Sequence, residues 1–251
     1  MPAPEDAPVR RVSTGGLVAL NLAGLAVVAV LAGLGTWQVQ RLAWKRDLIE
    51  RVETRIHAAP APAPATATAE ADAYRRVAAT GVFLHDRATL VQAVTALGGG
   101  FWVLTPLRAG DGRTILVNRG FVPSDRRDPA AWAPASGPVT IAGLIRMSEP
   151  GGAFLRSNDP AANRWYSRDV AAIAAARGLP EVAPYFIDAE AAPGPGGLPV
   201  GGLTVVDFPN NHLVYAITWF VLAAMTLAAL ALADLQALRA RSAPPARSRS
   251  V

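Results

Sequence analysis

Pro209-Asn210-Asn211-His212-Leu213-Val214-Tyr215-Ala216-Ile217-Thr218-Trp219-Phe220 marks the point where a long polar region ends and an uncharged apolar run begins. Helical spacing puts His212, Tyr215, Ala216, Trp219 and Ala223 at i, i+3, i+4, i+7 and i+11, on one face. An imidazole and two large aromatics then line one side of a helix as it enters a membrane. Such a face either anchors the helix at the interface or holds a cofactor. The apolar run itself, Leu213 to Ala233, has 21 residues without charge, and residues 212–233 are predicted to form a transmembrane helix.

A second run of this kind lies at the other end of the chain. Gly15 to Trp37 has 23 uncharged residues, roughly 34 Å of helix, enough to cross a hydrocarbon core of ~30 Å. A cleaved signal peptide would have a shorter apolar region and a small-x-small cleavage site; here the helical pattern continues past Trp37, which favours an uncleaved anchor. The face Trp37, Arg41, Trp44, Lys45, Leu48 carries the helix on to about residue 56. Arg41 and Lys45 either snorkel at headgroup level beside a tryptophan belt or reach carboxylates of a ligand held near the interface. Small residues allow close approach of two such helices, with Ala29-x-x-x-Gly33 and Ala224-x-x-x-Ala228 as the expected contacts.

Between the spans, residues 58–73 form an Ala/Pro-rich linker expected to separate the emerging helix from a folded unit. That unit covers residues 74–208. Strands are expected at Arg75–Phe83, Thr89–Val94, Phe101–Leu107, Thr114–Asn118, Val139–Met147, Pro184–Asp188 and Leu203–Val206. Turns fall at His85-Asp86-Arg87, at Gly110-Asp111-Gly112 and at Ser136-Gly137-Pro138. One helix is expected from Ser167 to Arg177, ended by Gly178. Many short strands with one late helix predict an α+β domain built on an antiparallel barrel or sandwich. The fold class is therefore a membrane protein with two transmembrane helices flanking a β-rich extramembrane domain.

Charge and composition narrow the function. Residues 38–208 hold 18 basic and 16 acidic side chains, and the remainder of the chain holds 6 and 3. The net +5 is thus not concentrated in the folded domain, which argues against a nucleic-acid partner. The chain has no cysteine, so disulfides, thiolate metal sites, thiol nucleophiles and c-type haem attachment are excluded. Two spans place both ends on one side. Arg10, Arg11 and the tail arginines 239, 241, 247 and 249 make residues 1–14 and 234–251 cytoplasmic and the domain periplasmic, in a bacterium of Ala/Arg/Gly/Pro-rich usage.

Catalytic patterns are poor, and the chain does not read as an enzyme. His57 sits at the linker edge as a surface residue, and His85 in a turn beside Asp86 is a solvated or strand-end histidine before it is a general base. Asn118-Arg119-Gly120-Phe121-Val122-Pro123 reads as a structural corner after a strand. In Asn163-Arg164-Trp165-Tyr166-Ser167-Arg168-Asp169 the aromatics are either core anchors or part of a partner surface. His212 is the sharpest position. Neutral imidazole is the usual axial ligand of haem iron, Tyr215 and Trp219 would supply flat apolar walls, and ionisable groups beside membrane spans are functional candidates. Asn210 and Asn211 could cap the helix or orient the imidazole through its second nitrogen.

Three stretches together resemble the Surfeit locus protein 1-like family of cytochrome c oxidase assembly factors. They are Gly35-Thr36-Trp37-Gln38-x-x-Arg41-x-x-Trp44-Lys45, Leu116-Val117-Asn118-Arg119-Gly120-Phe121-Val122-Pro123, and Asn210-Asn211-His212-Leu213-x-Tyr215-Ala216-x-Thr218-Trp219-Phe220. Their order, spacing and two-span topology agree with that family, with Phe121 standing where tryptophan is more usual. The resemblance implies a non-catalytic chaperone of respiratory-chain biogenesis in the bacterial inner membrane, acting on haem-copper oxidase. It implies haem a binding and assisted insertion into the oxidase catalytic subunit, with His212 as iron ligand; on that expectation the residues themselves offer Tyr215 and Trp219 as walls and Arg41 or Lys45 to meet propionates. Partners implied are the catalytic subunit, haem a synthase and membrane lipid. The alternative is a scaffold that stabilises an oxidase intermediate and binds no haem.

Overall fold

A computed structural model describes residues 13–132, 137–153, 155–191 and 197–242. Arg10, Arg11, Ser136, Arg247 and Arg249, on which expectations above rest, lie outside the described residues. The chain divides into two compact units, one of Met1–Leu48 with Phe208–Val251 and the other of Ile49–Asp207. In order, the elements are α1 (Thr14–His57), β1 (Ala61–Pro62), α2 (Ala69–Asp72), β2 (Arg76–Phe83), β3 (Thr89–Thr95), β4 (Gly98–Ala109), β5 (Thr114–Pro123), β6 (Pro138–Met147), β7 (Gly152–Ala153), β8 (Arg156–Ser157), α3 (Val170–Ala176), β9 (Val182–Ala189) and α4 (His212–Ser242).

The two long helices are both long and apolar enough to cross a membrane. Between them, the sheet order β1-β2-β6-β9-β5-β4-β3 closes on itself because β4 also pairs with β2. Length makes this possible. The first half of β4 pairs with β3 (Gly98↔Thr95 to Leu104↔Thr89), while Leu107–Ala109 reach Phe83–Gly81 of β2. The result is a β-barrel ring of β2, β6, β9, β5 and β4, which leaves few open edges. Most pairs are antiparallel, as expected, but β5–β9 and β1–β2 are parallel.

Alternation on β2 and β3 follows the one-face-in pattern of a strand with water on one side. On β5, Thr114 to Asn118 are buried in succession, because both faces are covered. Ile115 and Val117 point into the barrel with Val77, Leu107, Ile145, Tyr185 and Ile187. Leu116 points out and meets Trp165, Val170, Ile173 and Phe186 under α3. That helix starts at Asp169, whose carboxylate accepts from the Ala172 amide, and ends at Gly178 with φ +59°.

Three expectations are corrected here. The Ala/Pro-rich segment is not a free spacer. It lays β1 beside Val77 and Ala78, and its Pro64 carbonyl accepts bonds from Tyr185 Oη (2.6 Å) and Arg113 Nη1 (2.7 Å). Proline's missing donor is no handicap on an edge strand. Asn118–Pro123 is not a corner but the continuation of β5 through a bulge, where Arg119 and Gly120 together oppose Val103. Gly120 has φ +130°, and a Cβ there would lie 2.3 Å from the Val200 carbonyl oxygen, so only glycine fits. Leu203–Val206 forms no strand.

Candidate functional site

α1 and α4 run antiparallel and meet along a stripe with a period near 3.5. The less exposed positions of α1 include 17, 21, 24, 28, 31, 35 and 38, with 32 and 34 beside them, and those of α4 include 212, 216, 219, 223, 226 and 230. Alternating steps of three and four keep a straight seam between two left-handed-supercoiled helices. Leu230 fills the space over Gly24, where a Cβ would stand 2.7 Å from its methyls, and the Phe220 ring covers Gly35. Ala216 and Ala223 are buried opposite. Ala29, Gly33, Ala224 and Ala228 are exposed, so the contacts expected at those pairs are made by Gly24, Gly35, Ala216 and Ala223 instead.

Polar bridges stand at both ends of the seam. Asn21 Nδ2 donates to Asp234 Oδ1 (2.9 Å), and beyond it Arg241 donates to the Thr14 hydroxyl (3.0 Å). At the other end His212 Nδ1 lies 2.7 Å from Gln38 Oε1. An amide oxygen only accepts, so Nδ1 carries the proton in this contact, and in the neutral ring the lone pair is then on Nε2. The imidazole is thereby held in the tautomer that a metal centre ligated through Nε2 requires. Gln38 takes the orienting role considered for Asn210 and Asn211. The Asn211 carbonyl instead accepts the Tyr215 amide (3.3 Å), and Asn210 Oδ1 is a buried acceptor without a partner.

The five site residues read from the sequence divide. His212 and Trp219 are half-buried on the inner stripe. Tyr215 is 54% exposed and stands off that stripe, since i+3 lies about 60° behind residue i while i+4 lies about 40° ahead of it. Arg41 is spread over the Trp44 ring at 4.0 Å and Lys45 over the Phe208 ring at 5.0 Å. These cation–π contacts belong to side chains at the aqueous end of a span. The donor set fits a planar iron-bearing group held by one imidazole in part: an oriented ring nitrogen, Trp219 on the same stripe and cations at one end, with Tyr215 off that face. Among the described residues no cluster of three or more His, Cys, Asp and Glu is placed to hold a bare metal ion.

The barrel carries two polar features that sequence reasoning missed. Asp188 is buried and accepts from Asn118 Nδ2 (2.8 Å), Arg146 Nη1 (3.0 Å), Arg168 Nη1 (3.2 Å) and Thr204 Oγ1 (3.1 Å). Glu149 takes the rest of Arg168; burial pushes its carboxyl up, and the bonds and charge of Arg168 outweigh that and hold it below the usual range. Arg119 is aimed by the bulge between Phe83 (5.2 Å) and Trp132 (5.7 Å), with Nη1 buried and unbonded; burial lowers its pKa. The bulge was the only available signal, through Gly120. A cavity of about 830 Å³ is lined by His85, Phe101, Trp132, Trp165 and Tyr166 with Arg127 and Arg164. Trp165 is a core anchor, its Nε1 donating to Asn163 Oδ1 (2.9 Å), whereas Tyr166 is only half-buried and faces this cavity. His57 is exposed on α1 within 3.0 Å of Glu53, and His85 packs on Phe83 at 5.6 Å.

A family model described as the SURF1 family matches residues 25–224. That range takes in Gln38, Arg41, Lys45, the barrel, His212, Tyr215 and Trp219. The chain is similar to a SURF1-like protein of Monosiga brevicollis, 40% identical over 221 residues that cover 81% of this chain and 83% of that one. It is similar to Surfeit locus protein 1 of Mus musculus, 38% identical over 222 residues, 80% of this chain and 71% of that one. With Surfeit locus protein 1 of Homo sapiens it shares 38% over 214 residues, 77% and 70% of the two chains.

Proposed function

The chain belongs to the SURF1 family, and on that premise we propose that it is a cytochrome c oxidase assembly factor that carries haem a to the oxidase catalytic subunit. It acts without catalysing a reaction, in a bacterial inner membrane, with both termini cytoplasmic and the barrel periplasmic. Haem a synthase would supply the cargo. The observation that carries the reading is the 2.7 Å contact of His212 Nδ1 with Gln38. Without a partner on Nδ1 an imidazole at a helix start samples both tautomers and rotates; with one, Nε2 is a fixed donor of electron density.

Haem a, when bound, would supply an iron that takes an imidazole as ligand, and His212 is the residue that would hold it. Gln38 positions the imidazole, and Trp219 on the same stripe would wall the ligand, with Tyr215 off that stripe. Lys45 and Arg41 stand at the aqueous end, where carboxylates of such a ligand would be met by cation charge. A single protein ligand suits a carrier, because a receiving site with more ligands draws the cargo off.

The test is the visible spectrum of protein purified in detergent from cells that make haem a. Wild type should carry a haem band. His212→Ala should lose it, with free imidazole restoring it in part. Gln38→Leu should lower haem content about tenfold or more, as loss of an orienting partner does at other sites. A wild type without haem, or a His212→Ala variant with an unchanged spectrum, would leave the non-haem scaffold as the reading.

A further inference from the structure

From Ala88 to Leu107 the chain has no charged residue and no histidine. Those twenty residues are the β3–β4 hairpin, and its tip is apolar and open to water. Val94 is 87% exposed and Leu97 56%. A barrel in water ordinarily places lysine, glutamate or asparagine at such a tip, and the neighbouring β4–β5 hairpin does so with Arg108, Asp111 and Arg113.

The tip is not alone. Val205 is 82% exposed and shares with Val94, Thr95 and Ala96 the rim of a cavity of about 450 Å³. On the other flank of Val94, Arg156 and Tyr166 are paired at 5.4 Å, and Arg156 Nη1 donates to Gln92 Oε1 of β3 (2.8 Å). Leu155, next to Arg156, is 89% exposed. An uncharged apolar tip flanked by an arginine and a tyrosine has the composition of a segment that sits at the headgroup boundary of a bilayer.

Two further points favour lipid over protein as the occupant. The tip meets one of its own amides internally, the Leu97 amide donating to Thr95 Oγ1 (3.1 Å) while Gly98 takes φ +99°, which lowers the cost of leaving water. And the stretch that carries Val205 runs seven residues on into His212, the start of α4, a length that extended chain covers in at most ~25 Å. The segment that carries Val205 is thus joined to a membrane span by a short stretch of chain.

We propose that the β3–β4 hairpin tip, with Val205 and Leu155, inserts shallowly into the lipid surface and fixes how the barrel lies on the membrane. The absence of cysteine allows a direct test in the full chain. Single cysteines at Val94, Leu97 and Val205, and at Gly110 on the charged hairpin as control, are labelled with an environment-sensitive fluorophore. The proteins are reconstituted in phosphatidylcholine–phosphatidylglycerol vesicles. The first three labels should emit to the blue of the Gly110 label and be quenched by lipids carrying a nitroxide near the headgroup. Adding Leu97→Asp should abolish quenching at position 94 while the melting midpoint stays put. Labels as polar and as unquenched as the control would overturn the proposal. So would labels shielded only when the oxidase catalytic subunit is added, which would make the tip a protein-docking surface.

Discussion

Asp188 in the barrel accepts four hydrogen bonds, from β5, β6, the segment before α3 and the segment before α4, whereas Asn21 and Gln38 of the helix pair each meet one side chain across the seam. The barrel concentrates its polar groups into one buried cluster of matched charge. The helices spread theirs to the two ends of an otherwise apolar contact. Removing one member of a buried charge cluster strands the others, so the barrel should respond sharply to single changes. A helix end has water or headgroups nearby and can replace a lost partner, so the helix pair should respond weakly to polar changes and mainly to changes of volume.

The largest effect is expected from Asp188→Ala. It leaves Arg146 and Arg168 without their shared carboxylate and should cost the barrel about 3–5 kcal/mol, read as a lower denaturation midpoint of the full chain in detergent. A cost near zero would mean that the cluster is water-filled and the contrast false. Next is Gly35→Leu, which drives a side chain into Phe220. Overpacking of this kind costs ~1–3 kcal/mol. It should weaken a disulfide formed between cysteines placed at 31 and 223 without moving the barrel midpoint.

A smaller effect is expected from acid. The Glu149 carboxyl is held below its ordinary value of 4.5, so its pairing with Arg168 contributes stability above that pH and loses it as pH falls through the depressed value. Glu149 is over a third exposed, so solvent screens the pair and the loss is modest. Glu149→Gln should flatten the acid limb of a stability–pH curve below about pH 4.5. Smallest is Asn21→Leu, about 0.6 kcal/mol for an interhelical bond in a bilayer, measured by the same disulfide exchange.

Much of this was legible in the residues, for reasons that differ by region. The strands from β2 to β6, β9 and both spans follow from period-two alternation and uncharged length, and they stand close to where those patterns put them. Closure of the barrel was not legible, because it depends on β4 being long enough to serve β3 and β2 in turn, and a run of apolar residues does not say where one partner ends. Parallel pairing of β5 with β9 was hidden for a similar reason: strand order is a long-range property. In the helices, alanines facing lipid and alanines facing a partner are chemically alike, so Ala29 and Ala224 could not be told from Ala216 and Ala223. The seam was visible only through its polar residues, Asn21, Gln38 and His212, which avoid lipid. Tyr215 was grouped with His212 because i+3 and i+4 lie on one broad face, and only the helix pair divides that face.

The two polar bridges also act as a gauge. Asn21 and Gln38 are seventeen residues apart on α1, about 26 Å of helix, and His212 and Asp234 are twenty-two apart on α4, about 33 Å. They bracket the thickness of a hydrocarbon layer. In a thinner bilayer both pairs would be pushed into headgroups and water; in a thicker one they would be drawn toward acyl chains, where tilt or local compression must absorb the mismatch. The orienting contact on His212 is thus coupled to the lipid around it, and membrane thickness becomes a variable that sets how firmly the imidazole is held.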